Sequence, residues 1–322
     1  MNQTDIKIIK SEYISDTDSN GGRADFAAEV VSGVKFNLLP RVTSTERESG
    51  VTRYRKAFLA NMNQLGETAY GASAAISTPG NGGDRFYIKA GTDTDTKAEL
   101  ASDGWTGCGA LAFDAAAGTD SIQVSYKSND YEIPEGALLI IKDTLGNICN
   151  IRTSQTSPCA DWNGNIATIS LEGQLPDNFT AQDTSVGVMV ETGDLAPSLS
   201  GVSVSSAGGV FDESKVILYN SGTEHDAFSV TFDSSFSFQV SGVSAGTLPS
   251  GVTGSLYEPV NPKTGRPYFS IPAEGWSGIF EAGNTVTFST SPACSGFWIK
   301  EVVPAGCPHE PNNSFYIDWQ ID

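Results

Sequence analysis

Histidine is almost missing from this chain of 322 residues, which holds only His225 and His309. Two imidazoles are too few for most metal or triad chemistry, and no GxSxG elbow or glycine-rich phosphate loop makes up for them. Cysteine is scarce too. Cys108, Cys149, Cys159, Cys294 and Cys307 include no CxxC pair, the spacing that a zinc knuckle needs. No apolar run approaches the roughly 18 residues of a membrane span, and the opening MNQTDIKIIKSEY lacks the charged head and apolar middle of a signal peptide. The expectation is a protein without a membrane partner, without a cofactor and without enzymatic activity. Glycine (34) and proline (15) stay far below collagen or low-complexity levels, and 10% aromatic residues are enough to build a core.

Positive charge is the next shortage: 19 Lys and Arg stand against 38 Asp and Glu. Nine of the 19 cations fall in residues 1–56, beside eight acids, while residues 57–322 are strongly acidic. A body of that sign repels phosphate, so no nucleic-acid partner is expected. Residues 1–56 also carry Gly21, Gly22, Gly33, Gly50 and Pro40, which make a poor free-standing fold. They read as an extended N-terminal arm that a neighbouring subunit orders, with Arg41, Arg47, Arg53 and Arg55 as its candidate inter-subunit contacts.

What the sequence does have is alternation. Ile122, Val124 and Tyr126, then Phe228, Val230 and Phe232, then Val286 and Phe288, and finally Phe315, Ile317, Trp319 and Ile321 alternate with mostly polar neighbours. Such a pattern puts one face of a strand in a core and the other in water. Only Asp25–Val34 suggests a helix, through Phe26, Val30 and Val34. Asn163-Gly164-Asn165 and Leu145-Gly146-Asn147 signal hairpins, the first expected as a type I′ turn. The fold class is therefore all-β, mainly antiparallel, with two or three sandwich-like or barrel-like domains. Their expected limits are the arm at 1–56, a β segment packing on a neighbouring domain at 57–100, a small β-domain at 101–193 and an immunoglobulin-like sandwich at 194–322.

Few side chains suggest chemistry. Cys149 and Cys159 flank a polar loop, and Cys294 and Cys307 flank an expected strand, Phe297–Val303; either pair could close a short loop, and both are candidate disulfides, each worth about 3 kcal/mol if formed. Asp16-Thr17-Asp18-Ser19-Asn20-Gly21 matches the first half of a calcium loop, but its twelfth position is Ala27 where a bidentate Glu is needed. Trp105 and Trp276, each beside or near glycine, are the tryptophans placed to stack on sugar rings. Trp162, Trp298 and Trp319 read as packing residues. Paired carboxylates for glycoside hydrolysis cannot be chosen from 38 acids without geometry.

Two stretches carry a resemblance. ISDTDSNGGR with VVSGVKFNLLPRVTSTERESGVTRYRKAF, within residues 14–58, and GCGALAFDAAAGTDSIQVSY with PEGALLII, within 107–141, resemble segments of virion structural proteins of tailed bacteriophages. The resemblance implies a non-enzymatic component of a phage particle, made in the host cytoplasm and found in the virion, whose partners are its own copies and other virion proteins. A neck, collar or tail layer is the expected place. A capsid decoration is the alternative within that class, and a carbohydrate-binding receptor module or glycan hydrolase the alternative outside it.

Overall fold

A computed structural model describes all residues, 1–322. Its chain runs β1 (Ile6–Tyr13), β2 (Gly21–Glu29), a short α1 (Ser44–Ser49), β3 (Val51–Asn61), β4 (Ala69–Ile76) and β5 (Arg85–Ala90). A compact block follows: β6 (Thr106–Leu111), β7 (Ser121–Ser125), β8 (Leu138–Asp143), β9 (Ile148–Arg152), β10 (Ala160–Asn163), β11 (Ile166–Ser170) and β12 (Thr184–Val188), with β13 (Val190–Leu195) leading out. The next strands are β14 (Ser198–Ser205), β15 (Gly209–Phe211), β16 (Ile217–Leu218), β17 (Asp226–Phe232), β18 (Ser237–Gly242), β19 (Gly246–Val252), β20 (Phe269–Ser270), β21 (Trp276–Gly278) and β22 (Thr285–Ser291). Finally β23 (Cys294–Val303) and β24 (Ile317–Gln320) close the chain. The fold is all-β, and every pairing of strands is antiparallel.

One large sheet has the order β10-β11-β7-β6-β5-β23-β3-β1-β2, with β12, β8 and β9 branching from β6. A second sheet, β13-β4-β24, shares a core with it that contains Ala57, Leu59, Ile76, Ile88, Phe297 and Ile299. Strands β6 to β12 enclose another core around Leu111, Val124, Ile141, Ile169 and Val186. Residues 198–291 form their own unit: a five-stranded sheet, β14-β22-β17-β18-β19, faced by the short pairs β15–β21 and β16–β20. Rings fill that unit, Phe228, Phe232, Phe238, Phe269, Trp276 and Phe288 among them.

Several expectations need correction. The sandwich is 198–291 and not 194–322, because β23 runs through the middle of the large sheet between β3 and β5, and β24 pairs with β4. Cys294–Val303 is buried on both faces over most of its length, and such a strand needs two partners and a cover on each side. The sandwich is thus an insertion in the body. Asn61 clasps both of its ends: its Nδ2 donates to Leu195 O at 3.0 Å and its backbone N to Ala293 O at 2.8 Å. The faces of the sandwich also differ from the immunoglobulin pattern, since ribbons of two and three residues stand where a second full sheet would be.

Residues 1–56 are not an extended arm. β1 pairs with β2 and β3 in the body's own sheet, where Ile6, Ile9, Ala24 and Phe26 are buried. The residues 57–100 likewise belong to the two body sheets through β3, β4 and β5. Asp25–Val34 is not a helix either: period-two burial of Ala24 and Phe26 makes it part of β2, and the chain leaves that strand after Glu29. At the 163–166 hairpin, Asn163 faces Ile166, so Gly164 and Asn165 form the turn and Gly164 alone takes a left-handed φ of 62°. Glycine in the first central position suits a type II′ turn in place of the expected I′.

Candidate functional site

Between β2 and α1 the chain makes a loop, residues 30–43, that is anchored at its base and apolar at its tip. Val30 N donates to Ile8 O at 2.8 Å, Asn37 Nδ2 donates to Val31 O at 3.0 Å, and Leu38 and Leu39 pack on the body core. Val31, Val34 and Phe36 face solvent instead, Phe36 with 62% of its surface exposed. Phe36 is also the sole non-glycine residue of the chain with a left-handed backbone, φ 60°. A bulky residue held there is strained by about 1–3 kcal/mol. Lys35 and Arg41 on the same loop are exposed cations.

Arg53 holds the base. It stands on β3, 4% exposed, directly opposite Glu301 on β23. Its Nη1 donates to Pro40 O at 3.1 Å and Glu301 Oε2 at 3.3 Å, and its Nη2 donates to Arg41 O at 3.4 Å and to Glu46 Oε1. One guanidinium therefore ties a strand, a loop and a helix; its five donors in a planar fork are what such a joint requires. Glu46 closes the capping box of α1 on Thr43, whose N lies 2.7 Å from Glu46 Oε2. The bond from the Thr43 backbone, then that from Arg53, hold the Glu46 carboxyl down at about 2. Glu301, shut in the sheet, goes the other way: burial raises it to about 7 in spite of Arg53.

The four arginines expected to form one contact strip are thus divided. Arg41 is exposed, Arg47 is half-buried with Nη1 on Val42 O at 3.2 Å, and Arg53 and Arg55 are buried. Arg55 donates to Asp16 Oδ1 at 2.7 Å and to Ser15 O at 3.0 Å. The short, mixed-charge segment around Arg53 and Arg55 is an internal joint because each arginine has acids within reach from elements far off in sequence. Asp16 is spent on Arg55 and Asp18 on Lys97, at 3.1 Å, so the calcium-like motif has its carboxylates pointed at cations of the chain.

The disulfide expectations are also corrected, since all five cysteines are free. Cys294 pairs with Ala60 at one end of β23, while Cys307 N bonds Arg47 O beyond the other end. Nine residues of strand put about 30 Å between those ends, against the 7 Å that a bridge tolerates. Cys149 lies four residues along β9 from Thr153, the residue whose bridge to Leu171 brings that strand near Cys159, and Cys159 Sγ is turned to Ile133 O at 3.2 Å. Burial raises the thiols of Cys149, Cys159 and Cys294, which makes them poor thiolates. Trp105 and Trp276 are 3% and 8% exposed, so neither presents a stacking platform. His225 offers its carbonyl to Arg23 Nη1 at 3.1 Å, a bond between body and sandwich, and His309 is exposed.

Glu301 and Phe36 are residues that the sequence does not single out. Glu301 sits 248 positions from Arg53, and nothing local marks either as the other's partner. No protein-family model matches the chain, and no curated protein matches it. Among solved structures, the VP2 subviral particle of infectious bursal disease virus is 11% identical over 87% of this chain and 78% of that one, with a TM-score of 0.12. A likeness that weak carries no argument about fold or role.

Proposed function

We propose that this chain is a non-enzymatic structural subunit of a tailed-phage particle, in a neck, collar or tail layer, and that copies associate through the 30–43 loop. The observation that carries the reading is the loop itself: an apolar tip, Val31, Val34 and Phe36, held out in strained backbone by a base that is fully tied down. Solvated loops gain nothing from exposed rings, whereas an interface gains about 25 cal/mol for each Å² it covers. Lys35 and Arg41 on that loop face a chain with twice as many acids as cations. Opposite potentials on identical subunits favour head-to-tail contact, the kind that closes into rings. The loop also lies inside the stretch that resembles phage virion proteins.

Sedimentation of the purified chain tests this directly. Wild type is expected to associate with rising concentration, and less so in high salt. Val34→Asp with Phe36→Asp is expected to stay monomeric with an unchanged circular dichroism spectrum. Identical association of the two proteins would remove the loop from the interface.

A further inference from the structure

Lys56 is the one lysine that the body closes over completely, at 1% exposure. It projects from β3 beside Phe58 and Trp298, with Nζ 4.8 Å and 6.0 Å from the two ring centres. Asp95 reaches it from the loop after β5, placing Oδ1 2.7 Å from Nζ. That carboxylate cannot turn away. Oδ1 also accepts Thr92 N at 3.0 Å, and Oδ2 accepts Trp298 Nε1 at 2.7 Å. The neighbours are cut to fit: a Cβ on Gly21 would sit 2.7 Å from the Trp298 ring and 2.8 Å from Asp95 O, and one on Gly91 would sit 3.0 Å from Trp298. The result is a rigid pocket, nearly shut from water, that contains an amine, a carboxyl and an N–H aimed at that carboxyl. A second carboxyl, Asp93, stands half-buried two residues away.

We propose that Lys56 and Asp95 are joined by an intramolecular isopeptide bond, Nζ to Cγ, which the folded chain forms by itself. The ammonium of Lys56 passes a proton to Asp95 Oδ1, 2.7 Å away, and the free amine attacks Cγ of the carboxyl so protonated. Trp298 Nε1–H donates to the oxygen that becomes negative. A second Nζ proton then joins the one on Oδ1, the Cγ–Oδ1 bond breaks, and one water departs. Ammonium and carboxylate become amide and water, so atoms and charge balance with no oxidant, cofactor or net proton. In water the separated ions win because both are hydrated. Here Lys56 is shut from water and Asp95 keeps only 14% of its side chain exposed, so condensation removes two poorly hydrated charges. Fixed contact between the groups supplies the effective concentration. Desolvation lowers Lys56, the direction that favours a free amine. The product keeps its partners, with the amide N–H facing Gly22 O, now 2.7 Å from Nζ, and the amide oxygen facing Trp298.

The intact mass of the purified full chain, taken after denaturation, decides the matter. It is expected to be lower than the sequence mass by one water, and a digest is expected to yield a branched peptide linking the Lys56 segment to the Asp95 segment. Lys56→Arg and Asp95→Ala are expected to restore the full mass, and Asp95→Asn to give the same amide with loss of ammonia. A wild-type mass equal to the sequence mass after prolonged incubation of the folded chain would overturn the proposal. So would a dehydrated species that persists in Lys56→Arg, because that loss would arise elsewhere in the chain.

Discussion

The body and the inserted sandwich are both antiparallel β, yet they are held together by different means. In the sandwich the binding is apolar: Phe232 stacks on Phe280 at 4.0 Å, and Phe238 meets Trp276 at 5.1 Å and Tyr257 at 5.2 Å. Its one ion pair, Lys263 with Glu224, is half-exposed on the lysine side. The body instead buries cations. Arg53, Arg55 and Lys56 stand in consecutive or alternate positions on β3, all at most 5% exposed, and each fixes a loop to the sheet. A strand in the middle of a large sheet has many loops to hold and few apolar residues to spare at its ends. Long cationic side chains reach those loops' carbonyls where a leucine could only fill space.

The largest expected effects separate these two modes. Phe238→Ala in the sandwich is expected to cost about 3–5 kcal/mol through lost burial and the cavity left behind. Trp276 is the sandwich's own tryptophan, so its fluorescence in a urea titration reports the loss. Arg53→Met in the body is expected to cost a similar 3–5 kcal/mol for another reason, since Glu301 is left buried without its cation. Adding Glu301→Leu should recover most of that loss, whereas no second apolar substitution should rescue Phe238→Ala. A double mutant no better than Arg53→Met would mean that Arg53 acts through Pro40 O, Arg41 O and Glu46 alone.

These modes also differ in how far they could be read from sequence. The sandwich strands Phe228–Phe232 and Val286–Phe288 announce themselves by alternation, because each needs only one apolar face. β23 was visible as an apolar strand, but its place was not: its neighbours β3 and β5 lie more than 200 residues earlier, and no local rule carries that pairing. The arginines were conspicuous as charges, and charge on a lone segment reads as surface. Only the register that sets Arg53 opposite Glu301 turns them inward. Phe36 carried no sign at all, since nothing in a phenylalanine side chain favours left-handed backbone.

A smaller effect, one of pH, is confined to the body. Glu301 titrates near 7 in the folded chain against about 4.5 when unfolded, because of burial, with Arg53 and Arg55 opposing and Asp84 adding to the rise. Between those values the folded state binds more protons than the unfolded one. Stability from this group is therefore full below about 4.5 and is lost as pH rises through about 7. Glu46, held at about 2, works in the opposite sense: its contribution is present above about 4.5 and fades as pH falls toward 2. Denaturant midpoints of the body, followed from pH 4 to 8, are expected to decline, and Glu301→Gln should flatten that decline. The Trp276 signal of the sandwich should not follow it.

The smallest expected effect tests whether charge matters in the sandwich at all. Lys263 Nζ lies 3.3 Å from Glu224 Oε2, with 42% of the lysine side chain exposed. Water and salt screen such a pair, and holding a long side chain in place costs rotamer freedom, so exposed pairs contribute about 0–1 kcal/mol. Glu224 moreover keeps a neutral partner after the lysine is removed, since Asn261 Nδ2 donates to its Oε1 at 2.9 Å. Lys263→Met is therefore expected to change the Trp276-monitored stability by less than about 1 kcal/mol, with little dependence on salt. A loss near that of Arg53→Met would show that the sandwich, too, rests on ion pairs, and the contrast between the two regions would fall.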